Sequence, residues 1–463
     1  MKMIPNRHQD LEIVPDNPFA NDKLERQQHA ENFECIVSLY GETGCVIALN
    51  GLWGTGKTTF VRMMLQDMKN KGFKPLYFNA WKNDFVSDPL VALLAEMKEL
   101  HPNDEKYTKL VECGSKIAID VTAGIVKSVL KNKLGIDADS IAEGIADTFK
   151  GQIDKYADQQ KSLEEFKQTL VEYVADTSSN ERPVVFFIDE LDRCNPHFAV
   201  QVLERVKHLF NIPNIVFVLV VNNQQLQHAI CGYYGSENID AANYLRRFVD
   251  IEYQMPESNK QAYSELLYAN YKLDTLLGAV ARKYDSRLKS EVDSFKNLLL
   301  ELISYSDFDL RTIDKFFAHI CLTFQTYGET EYLFPQVFLL LNYLRISNAE
   351  LYEQIREKKM ETSELVLRLD KEFASILKKK NKDVAYFRQT ITYPLARLVY
   401  VYAPASIDDT FVTLLRAQKM SNIDVEEFID SLQEARKWSR HGEKELEYVF
   451  RHLDLVEYVQ VNE

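Results

Sequence analysis

The chain has 463 residues, of which 46% are hydrophobic and 27% are charged, as is typical of a folded globular protein rather than a disordered one. At about 150 residues per domain, this length predicts about three modules, or one large module with extensions. Lys and Arg number 55 and Asp and Glu number 69, so the net charge is −14. This charge argues against non-specific coating of nucleic acid, although it is compatible with a local basic groove.

The sequence also argues against secretion and against a membrane span. The cysteines are scattered and form no CxxC pair, so we predict reduced thiols and neither a zinc site nor a disulfide framework. Residues 1–10 lack the apolar centre of a secretory signal. No stretch reaches the roughly 18 uninterrupted apolar residues that a membrane span needs. The most apolar candidate, residues 117–134, contains four charged residues and is typical of an amphipathic helix, so we expect a cytoplasmic protein.

Short apolar runs alternate with helical patterns in the first half of the chain. A polar segment, residues 16–33, is predicted to be an extended arm that enters a helix. Helices are predicted over residues 57–70, 198–210 and 224–230 from their apolar spacing. The predicted strands are residues 45–49, 76–78, 184–188, 215–221 and 248–253. This alternation predicts an α/β fold in which helices cover both faces of a parallel sheet.

Helical patterns dominate elsewhere. About 100 residues separate Trp81, which we predict to be a core residue, from the third strand, and this is far more than a βαβ connection needs. We interpret this segment as a helical insertion, with helices over residues 87–100, 115–133, 140–156 and 162–174. No strand signal follows Pro256, and the charged run 378–383 is predicted to be a solvated turn. The predicted divisions are an arm (1–33), a core (34–256) with its insertion (85–180), a helical lid (257–350) and a C-terminal helical domain (351–463).

Residues 51–58 read Gly-Leu-Trp-Gly-Thr-Gly-Lys-Thr and match the phosphate-loop pattern G-x-x-x-x-G-K-[ST]. Glycines let backbone N–H groups converge on phosphate oxygens, and the following helix points its positive dipole end at the same anion. We expect Lys57 to reach the β- and γ-phosphates and the Thr58 hydroxyl to ligate Mg²⁺. The alternative, a glycine-rich turn with an exposed lysine, is disfavoured by the position between a strand and a helix. The predicted ligand-binding residues of this loop are Gly51, Trp53, Gly54, Thr55, Gly56, Lys57, Thr58 and Thr59.

The apolar run 184–188 is followed directly by Asp189 and Glu190. A carboxylate at the carboxyl end of a strand beside the phosphate loop can hold Mg²⁺ through water, so Asp189 is the second predicted metal-binding residue. Glu190 is placed to polarise the attacking water. The alternative is an acidic helix cap, which Asp189 or Asp192 alone would suit.

Further polar residues are candidates for the same chemistry. Asn222 follows the fourth strand and can orient the attacking water, although an N-cap of the next helix is an equally natural role. Arg246 and Arg247 precede the fifth strand and can reach the γ-phosphate of a neighbouring subunit, with a surface salt bridge as the alternative. Arg311 can close onto the nucleotide from the helical lid, with a helix-face charge as the alternative.

Four segments together resemble the KAP family of P-loop NTPases. They are residues 47–60 (IALNGLWGTGKTTF), 78–84 (FNAWKND), 184–196 (VVFFIDELDRCNP) and 243–256 (NYLRRFVDIEYQMP). The combination of FNAW with IDELDRC-x-P is far more specific than the phosphate loop alone. The resemblance covers roughly residues 17–317 and leaves the rest of the chain, residues 318–463, unmatched.

The resemblance implies a P-loop core of the additional-strand type, related to the AAA+ and STAND ATPases, with an extra strand between the phosphate-loop strand and the Asp189 strand. It implies ATP hydrolysis with Mg²⁺. It also implies that Asp22 and Arg26 lie beside the base of the bound nucleotide. Many family members carry two membrane spans in the position of the helical insertion, but this chain has none there. Some bacterial members are implicated in phage exclusion.

We therefore expect a nucleotide-driven switch in phage defence that binds ATP between the core and the lid. We expect the chain to form a homo-oligomer and to act with a partner effector protein. One alternative is a nucleic-acid-processing ATPase, which stimulation by DNA or RNA would favour. Another is a nucleotide-binding scaffold with negligible turnover. A weaker idea gives residues 115–133 a peripheral membrane role.

Overall fold

Among the residues that the computed structural model describes, five strands form one parallel sheet. The described residues are 11–100, 105–117, 148–177, 182–281, 286–327, 334–378, 384–418, 420–438 and 443–457. The strands are β1 (Cys45–Asn50), β2 (Lys74–Asn79), β3 (Val184–Asp189), β4 (Ile215–Val221) and β5 (Ile251–Gln254), in the spatial order β2-β3-β4-β1-β5. The order confirms the expected additional strand, because β4 lies between β1 and β3.

The register of the sheet brings the carboxyl ends of its strands to one edge. Asn50 at the end of β1 pairs with Val221 at the end of β4. Asp189 at the end of β3 pairs with Asn79 at the end of β2. Residues that follow these strands therefore meet at this edge, which we call the carboxyl edge. A site built from several βα loops forms at such an edge in open α/β sheets.

The first of two compact units, Leu11–Glu257, contains this sheet and the helices that cover it. Its helices are α1 (Gln27–Tyr40), α2 (Lys57–Asn70), α3 (Pro89–Met97), α4 (Glu105–Ile117), α5 (Thr148–Thr177), α6 (Pro196–Leu209), α7 (Asn223–Tyr234) and α8 (Ala241–Leu245). Short 3₁₀ turns follow β2 at Trp81–Asn83 and β3 at Leu191–Arg193. Asp88 and Asn195 cap α3 and α6 immediately before a proline, a combination that favours helix initiation.

Alternate residues of each strand enter two separate hydrophobic clusters. Val185 and Phe187 pack with α1 and α2 on one face of the sheet. Phe186 and Ile188 pack on the other face with α6, α7 and the insertion helices α3, α4 and α5. The near-continuous apolar strands are explained by this burial on both faces.

The second unit, Ser258–Glu463, is helical throughout its described residues, as the sequence predicts. Its helices are α9 (Lys260–Asn270), α10 (Leu273–Ala281), α11 (Ser286–Tyr305), α12 (Leu310–Thr326), α13 (Pro335–Ser347), α14 (Ala349–Arg356), α15 (Thr362–Lys378), α16 (Val384–Tyr402), α17 (Asp409–Ala417), α18 (Val425–Trp438) and α19 (Glu443–Glu457). A 3₁₀ turn at Pro404–Ser406 separates α16 from α17. Searched over the described residues, these helices and those of the first unit include none that is long and apolar enough to cross a membrane.

Three sequence predictions need correction. The arm is a series of turns up to α1 rather than an extended segment. The described parts of the two helices predicted over residues 140–156 and 162–174 belong to one continuous helix, α5. Trp81 was predicted to be a core residue, but its side chain is 50% exposed, because it begins the turn after β2 and contacts Arg193 instead of the core.

Some predicted segments lie outside the described residues. These are most of the predicted helix 115–133, the start of the predicted helix 140–156, and nearly all of the charged run 378–383.

Candidate functional site

The glycine-rich loop, residues 51–56, connects β1 to α2 at the carboxyl edge. Gly54 and Gly56 have φ angles of 76° and 79°, which residues with a side chain rarely adopt. A Cβ atom added to Gly51 would lie 2.8 Å from Cβ of Met255. Gly56 occupies the cap position of α2 and has no side chain to cap it, so the first N–H groups of the helix are left to another acceptor. This arrangement fits an anion such as phosphate.

Lys57 lies across this loop. Its Nζ donates hydrogen bonds to the carbonyl oxygens of Gly51, at 2.6 Å, and Leu52, at 3.0 Å. Thr55 donates to the same Leu52 carbonyl. Burial lowers the pKa of Lys57, and the charges of Asp192 and Asp189 oppose that shift. A phosphate oxygen is a stronger acceptor for an ammonium group than these neutral carbonyls, so Lys57 can exchange one for the other.

Asp189 and Thr58 bring a carboxylate and a hydroxyl oxygen together at the carboxyl edge. Asp189 is only 1% exposed, and its carboxylate is hydrogen-bonded to Thr58 and accepts a bond from the Tyr77 hydroxyl at 2.9 Å. Burial raises the pKa of Asp189, while the hydrogen bonds from Thr58 and Tyr77 oppose that shift. A carboxylate and a hydroxyl are the hard ligands that Mg²⁺ prefers, so this donor set fits that ion. Tyr77 was not identified from the sequence.

Glu190 has an unusual backbone conformation, and both of its carboxylate oxygens are engaged. Its φ angle is 61°, in the left-handed region that non-glycine residues seldom occupy. Asn79 Nδ2 donates to one oxygen at 2.7 Å, and Arg193 forms an ion pair with the other at 2.8 Å. Asn79 Oδ1 in turn accepts a bond from the Lys82 N–H, which fixes the orientation of its amide. Strained residues that are held by several contacts are frequent in functional sites.

Trp53 connects the phosphate loop to the turn that follows Glu190. Its indole N–H donates to Asp192 Oδ2 at 2.6 Å, and the same oxygen accepts from the backbone N–H of Asn222 at 3.1 Å. Asp192 is buried, so these bonds replace the water that it loses. The sequence predicted Trp53 as a ligand-binding residue but gave no role to this contact.

Asn222 caps α7, which is the alternative that the sequence left open. Its Oδ1 accepts hydrogen bonds from the backbone N–H groups of Gln224 and Gln225. Asn223 is bonded through its N–H to Asn50 at the end of β1. The role of Asn222 in orienting water stays a prediction.

Asp22 and Arg26 lie beside the phosphate loop. They form an ion pair at 2.8 Å in which both side chains are buried. Arg26 also donates to the carbonyl oxygen of Gly56 at 3.2 Å and lies over the ring of Phe60. The pair therefore stabilises the end of the phosphate loop through Gly56. Its contact with the base of a nucleotide stays a prediction.

The structure brings neither Arg246 nor Arg247 to the carboxyl edge of the first unit. Arg246 and Arg247 are exposed and lie near the opposite end of the sheet, since Asp250 pairs with Val46 at the start of β1. Arg311 lies in the first turn of α12 in the second unit. Arg246 and Arg247 can thus act at a phosphate only in another copy of the chain, and all three roles stay predictions.

Comparisons with known proteins place this site in a family. The chain is 21% identical over 262 residues to the phage T7 exclusion protein of Escherichia coli K12, covering 53% of this chain and 34% of that protein. It thus spans about a third of the length of that relative.

Two solved structures align over most of the chain at low identity. Aeropyrum pernix ORC2, in ADPNP and ADP complexes, has a TM-score of 0.33 and 11% identity, covering 89% of this chain and 94% of that one. AMPPCP-bound DnaA from Aquifex aeolicus has a TM-score of 0.31 and 12% identity, covering 96% of this chain and 98% of that one. The profile of the KAP family P-loop domain matches residues 26–327, about two thirds of the chain, and the chain therefore belongs to the KAP family of P-loop NTPases.

Proposed function

We propose that the chain hydrolyses ATP with Mg²⁺ in the cytoplasm and that its nucleotide state acts as a switch in defence against phage. The observation that carries the proposal is a set of four side chains at the carboxyl edge, Lys57, Thr58, Asp189 and Glu190. They supply a cation for phosphate, two oxygen ligands for a metal and a carboxylate for water. Phosphoryl transfer needs these groups together.

Each group has a distinct task in this proposal. The first N–H groups of α2 and Lys57 bind the phosphates and stabilise the charge that develops during transfer. Thr58 and Asp189 would hold Mg²⁺, which neutralises phosphate charge when it is bound. Glu190 accepts a proton from the attacking water or orients that water for in-line attack.

The alternative of a nucleotide-binding scaffold is favoured by two contacts of Glu190. Asn79 and Arg193 each hold one carboxylate oxygen of Glu190, so the carboxylate can turn towards a water molecule only if these contacts rearrange. Turnover by the purified protein distinguishes the scaffold from the switch.

The test is ATP turnover by the purified full chain with and without Mg²⁺, and with single- or double-stranded nucleic acid. We expect turnover that requires Mg²⁺ and changes little with nucleic acid. A large stimulation by DNA or RNA would favour the nucleic-acid-processing alternative. ATP binding without any turnover, under all these conditions, would favour the scaffold.

The role in phage defence is supported by the name of the Escherichia coli relative, the phage T7 exclusion protein. Because the chain spans only 34% of that protein, the activity of the whole relative is not transferred with the match. The test is the plating efficiency of a phage panel that includes T7 on cells expressing the wild-type chain or Lys57→Ala. We expect protection only from the wild type, and equal plating on both strains would contradict this role.

A further inference from the structure

We propose that Arg193 is a positioning residue that restrains Glu190, and that Trp53 of the phosphate loop links this restraint to the nucleotide. The proposal rests on the ATPase function proposed above and specifies how that site is regulated. It assigns to the turn Leu191–Arg193 a task other than connecting β3 to α6.

The restraint is an ion pair on a strained residue. Arg193 Nη1 lies 2.8 Å from Glu190 Oε1, and the two side chains are 26% and 15% exposed. Asn79 holds the second carboxylate oxygen at 2.7 Å. Charge-assisted hydrogen bonds of this length are the strong ones, and together they can hold the left-handed backbone of Glu190. The two contacts hold the carboxylate in one orientation, and it can turn towards an attacking water only when the ion pair with Arg193 is broken.

Two tryptophans fix the guanidinium group that makes this ion pair. The Arg193 guanidinium lies 6.0 Å from the ring centre of Trp53 and 5.4 Å from that of Trp81. Both rings are partly exposed, at 40% and 50%, and each lies within about 6 Å of the cation, the distance over which a cation and an aromatic ring attract each other. Arginine suits this position because its planar group can contact aromatic faces and bind a carboxylate together.

Trp53 is the residue whose side chain nucleotide binding would displace. It lies inside the glycine-rich loop, between Gly51 and Gly54, and its indole N–H is bonded to Asp192, the neighbour of Arg193. A change in the loop that displaces this indole alters one aromatic contact of Arg193 and one hydrogen bond of the same turn. Both changes loosen the ion pair with Glu190, so phosphate binding and release of the carboxylate become coupled.

The test compares Arg193→Gln with Arg205→Gln in the full chain. Arg205 is a matched control because it forms a 2.8 Å ion pair with Asp88 and is 30% exposed, close to the value for Arg193. We expect Arg193→Gln to raise kcat for ATP about five-fold, equivalent to about 1 kcal/mol, at an unchanged KM. Arg193→Lys, which keeps the charge but loses the planar group, should lie between the wild type and Arg193→Gln. Arg205→Gln should match the wild type.

Tryptophan emission provides a second measurement that does not depend on turnover. In a Trp438→Phe background the remaining tryptophans of the chain are Trp53 and Trp81. A non-hydrolysable ATP analogue should change this emission in the wild-type site and change it less after Arg193→Gln. An analogue response that is the same in both proteins would overturn the link through Trp53.

The turnover outcomes separate the restraint from the ATPase. If Arg193→Gln is equal to or slower than the wild type while Glu190→Gln abolishes turnover, the restraint is wrong and the ATPase stands. If the wild type is silent and Arg193→Gln is active, both are supported. If the wild type and every variant are silent while the analogue changes the emission, the site binds nucleotide without hydrolysing it, and the restraint on catalysis is overturned with the ATPase.

Discussion

The Lys57 ammonium group donates its hydrogen bonds to carbonyl oxygens of the phosphate loop. Its bonds to the carbonyls of Gly51 and Leu52 hold a partly desolvated cation in place. Because a charged hydrogen bond contributes about 1.5–3 kcal/mol, we expect Lys57→Ala to weaken ATP binding by about 10- to 100-fold. Calorimetric titration with ATP measures this, and Lys69→Ala on the exposed side of the same helix is the control. Unchanged affinity in Lys57→Ala would show that the loop does not bind phosphate.

Tyr77 orients the carboxylate of Asp189, which we propose as a ligand of Mg²⁺. Its hydroxyl donates to Asp189 Oδ2 at 2.9 Å from the neighbouring strand. Since residues that orient a metal ligand affect metal affinity, we expect Tyr77→Phe to raise the Mg²⁺ concentration for half-maximal turnover about three- to ten-fold. Turnover measured across a Mg²⁺ series tests this. An unchanged Mg²⁺ dependence would remove Tyr77 from the metal site.

Residues with distinctive chemistry could be identified from the sequence, but most of their partners could not. Lys57 belongs to the phosphate-loop pattern, and Asp189 and Glu190 directly follow an apolar strand, so the spacing of these motifs indicates their roles. Tyr77 bonds to Asp189 and Asn79 bonds to Glu190 across more than 100 residues of sequence, so only the strand register brings these pairs together. The exposure of Trp81 was missed for the same reason, since its arginine contact is a tertiary one.

The packing of α1 against α2 contains a buried carboxyl group. Glu34 on α1 is 8% exposed and lies 2.6 Å from Lys71, which also pairs with Asp67. Burial raises the pKa of Glu34 to about 7 from an ordinary value of 4.5, and it outweighs the opposing effect of Lys71. The folded state therefore binds this proton more tightly than the unfolded state does. The free energy of unfolding should fall as the pH rises from about 4.5 to about 7 and then level off.

The variant Glu34→Gln tests this dependence. It replaces the carboxylate by a neutral group of similar shape, so we expect it to be more stable than the wild type by about 1–2 kcal/mol at pH 8 and equally stable near pH 4. Denaturant unfolding at both pH values measures the difference, with exposed Glu42→Gln as the control. Parallel pH profiles for Glu34→Gln and the wild type would contradict the burial argument.

Strands and helices differed in how closely their bounds could be predicted. The apolar runs that form β1, β3 and β4 were located within one residue, because these strands are buried on both faces and almost every residue is apolar. The predicted start of β5 was three residues too early, since Phe248 is apolar but belongs to the turn before the strand. Helices of the insertion were harder to place, because apolar spacing alone does not show where one helix ends and the next begins.

At the scale of the whole molecule, the position of Arg246 and Arg247 raises the question of whether two copies of the chain act together. They are exposed near the end of the sheet opposite the phosphate loop, so a catalytic role requires a second copy. We expect the double variant Arg246→Ala, Arg247→Ala and the variant Glu190→Gln to be separately inactive and to recover turnover when mixed. Each supplies what the other lacks, in the manner of arginine fingers that act in trans.

The mixing experiment needs one control and has a clear contrary result. Mixing Glu190→Gln with Lys57→Ala serves as the control, because Lys57 and Glu190 belong to one site and the arginines of both variants are intact. A double arginine variant that is fully active alone would remove both arginines from catalysis. Two inactive variants that stay inactive in the mixture would restrict the arginines to a structural role.

ATP turnover by the wild-type chain and by Glu190→Gln, each with and without Mg²⁺, is the measurement that decides whether this site is an ATPase. Glu237→Gln, at an exposed position of the same unit, is the control for a carboxylate lost elsewhere. We expect turnover that requires Mg²⁺, survives Glu237→Gln and falls at least 100-fold in Glu190→Gln, about 2.7 kcal/mol of transition-state stabilisation. Turnover that Glu190→Gln leaves intact would contradict the assignment of Glu190 and the catalytic geometry built on it.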